Sequence, residues 1–248
     1  MRIVVVGASS GLGRSIGIGL AQRGARVALL ARRQERLVRA ASDAGGDALP
    51  IACDVTDAES CRAAITTAAQ GLGGIDALVY ATATSPLARL VDTDATTWRN
   101  VFDTNVTGAA LITAAAIPEL LKTQGTAVFL SSVAASLTGP WPGLGAYVVS
   151  KAALDKLVEA WRVEQPTVAF TRLIVGDCAG GEGESMTEFA NRWDPQLATE
   201  LVQEWATRNL LAGALIDVAH LIEVVDAIVR GGTSMSLPSV TVAPRPTS

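Results

Sequence analysis

The sequence predicts an α/β domain, a doubly wound parallel sheet of about seven strands flanked by helices. Three observations carry that expectation. Short β-branched runs alternate with stretches of helical period, a glycine turn joins the first strand to the first helix, and 49% of residues are hydrophobic against 18% charged. A sheet covered on both faces needs that apolar surplus. At 248 residues one domain, 1–248, is the expected size.

The first strand is Ile3-Val4-Val5-Val6, which breaks straight into Gly7-Ala8-Ser9-Ser10-Gly11-Leu12-Gly13. Residues 14–24 repeat apolar side chains at helical spacing and stop at Gly24, which suits a helix C′ position. Residues 25–30 form a second β-branched run, so the unit reads β-α-β. Glycines in such a turn let the backbone approach a pyrophosphate, whose charge the helix N–H groups and dipole stabilise. The turn is therefore a nucleotide cradle of the Rossmann-like kind. The same residues satisfy G-x-S-x-G, with Ser9 as a hydrolase nucleophile and His220 downstream. That reading needs strands ahead of the turn, and six residues precede Gly7.

At the end of the second strand stands Ala31, where an NAD-preferring unit would carry an acid. Arg32 and Arg33 follow and suit a 2′-phosphate, so NADP(H) is expected over NAD(H). Residues 49–52 are a short third strand ending in Cys53-Asp54-Val55-Thr56, with Asp54 also placed to cap the helix that begins near Asp57. Residues 75–80 are the fourth strand. Trp98, Val101, Phe102, Asn105 and Val106 mark an amphipathic helix over 96–108 that continues to 116. Residues 125–130 are the fifth strand, delivering Ser131-Ser132 at the carboxyl end, where open parallel sheets bind ligands. A helix follows from Tyr147, a sixth strand over 172–177, a long helix over 217–229 and a closing strand over 239–242, with 244–246 as a short tail.

Tyr147 and Lys151 lie four apart and share one helix face. A free tyrosine titrates near pH ~10, so acid/base work near neutrality requires stabilising its charged form. A nearby ammonium and a nicotinamide cation can do so.

With its glycine turn, Asn105 in Asp103-Thr104-Asn105-Val106-Thr107-Gly108, Ser132, and Tyr147-Val148-Val149-Ser150-Lys151 in that order, the chain resembles the short-chain dehydrogenase/reductase family of the classical type. The likeness spans essentially the whole sequence. It implies that Tyr147 donates a proton to a carbonyl oxygen and that Ser132 hydrogen-bonds that oxygen. It implies further that Lys151 holds the nicotinamide ribose and depresses the Tyr147 pKa, and that Asn105 anchors a proton-carrying water. Cofactor contacts implied are Gly7, Ser9, Ser10, Gly11, Leu12, Gly13, Arg32, Arg33, Asp54 and Val55 beside the adenine, then Asn105, Tyr147, Lys151 and Gly176. A homodimer or homotetramer follows by analogy.

The chain departs from the family in four places. Tyr80-Ala81-Thr82-Ala83 replaces Asn-Asn-Ala-Gly, and Val175-Gly176 replaces Pro-Gly. Ser132 precedes Tyr147 by fifteen residues, more than the family pattern gives, with 137–145 as the loop that absorbs the excess and Ser131 or Ser136 as alternatives. Residues 178–211, the expected substrate lid, are the least family-like. Gly180, Gly181 and Gly183 supply hinges, and Met186, Phe189, Trp193, Leu197, Leu201 and Trp205 repeat at roughly helical spacing. That apolar face either closes over a substrate or packs on the domain or a neighbouring subunit.

The expected function is NADP(H)-dependent oxidoreduction of a small-molecule carbonyl or secondary alcohol, in the sense of ketone reduction. The alternative is a catalytically idle NADP-binding protein acting through a partner. A net charge of −4 without basic runs gives no footprint for nucleic acid, and no stretch suggests a membrane span. Cys53, Cys61 and Cys178 suggest neither a zinc site nor a disulfide framework, and a lone His220 indicates no metal. A soluble, cytoplasmic protein with free thiols is expected.

Overall fold

The computed structural model describes residues 1–211 and 213–245. The final three residues of the expected domain, with Pro246 of the tail, lie outside the described residues. Seven parallel strands form one sheet in the order β3-β2-β1-β4-β5-β6-β7. They are β1 (Arg2–Val6), β2 (Arg26–Ala31), β3 (Leu49–Ala52), β4 (Ala77–Tyr80), β5 (Thr126–Ser132), β6 (Ala169–Val175) and β7 (Ser239–Val242). The order reverses between β1 and β4, and the crevice at their carboxyl ends is where such sheets bind ligands.

Strand alternation explains why the runs are apolar throughout. Ile3 and Val5 point to one face and Val4 and Val6 to the other, and all four are fully buried. On one side α1 (Gly11–Gln22), α2 (Gln34–Asp43) and α9 (Val218–Val229) cover the Ile3 face, through Ile16, Leu20, Leu37 and Val225. On the other side α3 (Ala58–Leu72), α5 (Gly108–Thr123) and α7 (Gly145–Glu164) cover the Val4 face, through Ile65, Ile112 and Leu154. Helix α1 ends as expected, at Gly24 with φ +81°.

The helix expected over 96–116 divides into α4 (Ala95–Phe102), a widened turn over Asp103–Thr107 and α5. In that turn the Gly108 N–H reaches back to the Asp103 carbonyl, five residues away. Residues 95–123 together are long and apolar enough to cross a membrane by length and composition alone, which corrects the expectation that no stretch suggests a span. Here 44% of the apolar window is buried inside the domain.

Two further helices were not given bounds by the sequence, although Leu197, Leu201 and Trp205 of the second stand at the helical spacing already noted. A single helical turn, α6 (Val133–Ser136), follows β5, and α8 (Pro195–Thr207) carries the second half of the lid. Asp57, rather than Asp54, caps α3, accepting from the Glu59 N–H at 3.0 Å.

Candidate active site

The glycine turn has the form a dinucleotide requires. Gly7 and Gly11 take φ +90° and +57°, and a side chain on Gly13 would run into the Gly7 carbonyl. Ser10 is the N-cap of α1 without a side-chain cap bond, so the first N–H groups of the helix are left to an outside acceptor. These observations fit a pyrophosphate held by Gly11, Leu12 and Gly13.

The arginine pair separates. Arg33 turns back to the turn and donates to Ser9 Oγ at 2.9 Å and Ser10 Oγ at 2.7 Å. Arg32 stays exposed on the Asp54 side. Burial works against the Asp54 charge, but the N–H and hydroxyl of Thr56, with Arg32 nearby, hold its pKa below the usual range. Val55 beside it is buried, against Gly108. Because Ser9 Oγ accepts from a guanidinium and His220 lies exposed on α9, the hydrolase arrangement has no base at Ser9.

At the other end of the crevice, β5 delivers Ser132 and α7 delivers Tyr147 and Lys151. The Ser132 hydroxyl caps α6 through the Ala134 N–H at 3.2 Å and lies near enough to the Tyr147 phenol to favour its charged form. The extra residues are taken up by the single turn of α6 and the exposed stretch 137–140, so the long spacing still leaves serine and tyrosine near each other. Ser131, one residue earlier, points to the opposite side of β5, toward Asp155.

Burial pushes the Tyr147 phenol up to about 12, and the Ser132 hydroxyl acts against it. Lys151 stands beside the phenol. Its Nζ lies 5.8 Å from the Tyr147 ring centroid, over the ring, and donates to the Leu130 carbonyl at 2.7 Å. Burial brings the Lys151 ammonium down to about 8, opposed by Asp155.

Asp155 is a residue the sequence reading missed. It stands one further turn along α7, on the face of Tyr147 and Lys151, and is 5% exposed. Neither carboxylate oxygen meets a full hydrogen bond. Burial raises its pKa, while Ser131, Arg172 at 3.5 Å and Lys151 hold it down. The i, i+8 spacing from Tyr147 was the available signal.

Asn105 sits fully buried in the widened turn. Its Oδ1 accepts from the Thr84 N–H at 2.8 Å, and its Nδ2 donates to the Thr84 carbonyl at 3.0 Å and Ser150 Oγ at 2.8 Å. It thereby ties the segment after β4 to α7. Tyr80, where relatives carry asparagine, is buried against Phe129, and its hydroxyl donates to the Thr104 carbonyl that the widened turn releases from the helix ladder. A different side chain therefore braces the same junction. The Gly176 N–H donates to Val242 at 2.8 Å and is used within the sheet, and the tail packs on it through Pro244.

The lid lies on the domain. Phe189 packs edge-on against Tyr147, centroids 5.1 Å apart, and continues through Trp193 and Trp205 to Trp141. Ser85 pins it twice, donating to the Phe189 carbonyl at 2.8 Å and accepting from Trp193 Nε1 at 2.7 Å. Among the described residues no group of three or more His, Cys, Asp or Glu could hold a metal.

The short chain dehydrogenase family model matches residues 1–178. Dehydrogenase/reductase SDR family member 4 of Bos taurus is 37% identical over 166 residues, covering 65% of this chain and 59% of the relative. The 11-beta-hydroxysteroid dehydrogenase-like 2 protein of Arabidopsis thaliana is 33% identical over 180 residues, 70% of this chain and 58% of the relative. The matches thus span between half and three-fifths of those relatives' length. Among solved structures, a short-chain type dehydrogenase/reductase from Mycobacterium marinum superposes with a TM-score of 0.83 at 25% identity, covering 98% of this chain and 93% of that one. An alcohol dehydrogenase from Thermococcus sibiricus, complexed with 5-hydroxy-NADP, gives 0.80 at 22% identity over 97% and 94%, and so shares the fold.

Proposed function

The chain belongs to the short-chain dehydrogenase/reductase family, and from that premise we propose that it is an NADP(H)-dependent oxidoreductase of a carbonyl/secondary alcohol pair, working as a ketone reductase. The observation that carries this reading is the gathering of Ser132, Tyr147 and Lys151 at the carboxyl end of β5, in a fold whose first turn has the form a dinucleotide requires. A bound nicotinamide would supply or accept the hydride. Gly7, Gly11, Leu12 and Gly13 would hold its pyrophosphate, and Ser9, Ser10 and Arg33 the adenosine phosphate.

Ser132 would fix the substrate oxygen by hydrogen bonding, and Tyr147 Oη would pass its proton to that oxygen. A phenol pushed up to about 12 stays protonated at neutral pH and so holds the proton that reduction requires. Lys151 would keep a positive charge over the ring and reach the ribose hydroxyls. Asn105 would keep Thr84 and α7 in register below the reacting atoms. The aromatic cluster of Trp141, Phe189, Trp193 and Trp205, packed over Tyr147, would offer an apolar face to a substrate once the lid lifts. A homodimer or homotetramer through α4 and α5 belongs to the same proposal, supported by an α4 that buries only Val101. So does a cytoplasmic location.

The test is carbonyl reduction followed by NADPH oxidation. Tyr147→Phe is expected to lower kcat/KM by roughly 10²–10⁴ with NADPH affinity retained. If the wild-type protein binds NADPH and oxidises it with no carbonyl of a broad panel, the idle binding protein is the better reading.

A further inference from the structure

The polar edge of the lid lies on Arg33, assigned to the cofactor phosphate, and on Arg36 beside it on α2, and its next residue lies on the tyrosine. Glu188 Oε2 is 2.8 Å from Arg33 Nη1 and accepts from Ser10 Oγ at 3.0 Å, while its Oε1 is 2.5 Å from Arg36 Nη1. Phe189 follows directly, edge-on to the Tyr147 ring. Two guanidinium groups and a serine hydroxyl at the start of α1 are the donors a phosphate monoester would recruit. Here one carboxylate has all three.

We propose that Glu188 is the specificity-determining residue of this crevice, a resident stand-in for the 2′-phosphate. It would yield Arg33 and Arg36 only to a phosphorylated dinucleotide, and in leaving would draw Phe189 off Tyr147. The inference rests on the NADP(H) reading above.

Charge decides the exchange. A phosphate monoester carries about −1.5 to −2 at neutral pH, against −1 for the carboxylate, and offers three acceptor oxygens. It outbids Glu188 for both arginines. The 2′-hydroxyl of NAD(H) is neutral, and trading charge-assisted bonds for neutral ones is unfavourable. With NAD(H) the arginines stay on Glu188 and the lid stays down. Consecutive Cα atoms are only ~3.8 Å apart, so a shift of the lid backbone that takes Glu188 off the arginines carries Phe189 with it. The contact that senses the phosphate is thus joined through the chain to the contact that covers the proton donor.

Glu188→Gln keeps the shape and removes the charge. Kd for NADPH and NADH would be measured by calorimetry on wild-type and E188Q protein. Tryptophan emission would be recorded with and without adenosine 2′,5′-bisphosphate, which carries the phosphate but no nicotinamide. The expected result is an NADPH Kd about tenfold lower in E188Q and an NADH Kd changed by less than about twofold. The bisphosphate should move wild-type emission to the red, toward that of nucleotide-free E188Q, as Trp193 leaves its stack. If wild type prefers NADPH but E188Q leaves both constants unchanged, or improves both equally, the role of Glu188 is overturned and the NADP(H) reading stands. If wild type prefers NADH, the cofactor reading falls. Emission then decides for Glu188: a red shift in nucleotide-free E188Q supports its pin on the lid, and unchanged emission overturns it.

Discussion

The floor and the roof of the crevice are held by different physics. The floor is backbone and burial: glycines in left-handed conformations, a helix start lying against a carbonyl, and Tyr147 and Lys151 sunk between β5 and α7. The roof over 178–194 has little regular structure, a bridge between Gly180 and Met186 and one turn at Gly183–Ser185. Side chains hold it instead, with Glu184 and Glu188 on arginines at one end and Phe189 and Trp193 on Tyr147 and Ser85 at the other. A region fixed by sterics has one arrangement. A region fixed by replaceable polar and aromatic contacts can exchange them for a ligand's.

Gly13→Val puts the heaviest load on the floor. The added carbons would meet the Gly7 carbonyl and the Ala81 side chain, and backbone cannot step aside as a flexible side chain can. The expected loss is about 3 kcal/mol in urea unfolding, with dinucleotide binding abolished. A variant of wild-type stability would break the contrast, because the floor would then be as adaptable as the roof.

Lys151→Met sharpens it in the opposite direction. The folded protein lowers the lysine pKa from 10.5 to about 8, so burial disfavours the charged form. That penalty is fully present below pH 8 and fades as pH rises toward 10.5, where the unfolded chain also loses the proton. Methionine removes it, at the loss of the bond to Leu130. The expected gain is roughly 1–3 kcal/mol at pH 7, narrowing above pH ~8, in a protein that no longer turns over. Equal stability of the two proteins at pH 7 and pH 9.5 would show that Lys151 is not under strain.

The same contrast explains what could be read from the sequence. Val4, Val5 and Val6 and the glycines after them announce themselves because their roles are local, and Tyr147 and Lys151 because helical spacing alone puts them together. Arg36 and Glu188 are 152 residues apart, and no local pattern pairs them. Phe189 fitted two readings, closing over a substrate or packing on the domain, and its spacing could not choose between them. Tyr80 looked like a loss, since relatives place asparagine there. Its hydroxyl reaches a carbonyl that is available only because the helix widens at Asp103–Thr107, a feature that propensity does not encode. The Ser132–Tyr147 spacing looked too long in one dimension and is absorbed in three by the turn of α6 and the exposed stretch 137–140.

Trp193→Phe tests the roof with the smallest effect. The substitution keeps an aromatic ring between Phe189 and Trp205 and removes the 2.7 Å bond from Nε1 to the Ser85 carbonyl. A hydrogen bond of this kind contributes about 1 kcal/mol net, which is roughly a fivefold change in an opening equilibrium. If the lid opens as its own unit, that loss leaves the global urea midpoint where it is and appears only locally. Proteolytic cleavage within 178–194 should then run about fivefold faster under conditions where opening is rapid. A shifted global midpoint with unchanged cleavage would mean that roof and floor unfold together. The exchange proposed for Glu188 would then have to lift part of the core with it, and a single phosphate would be too weak a lever.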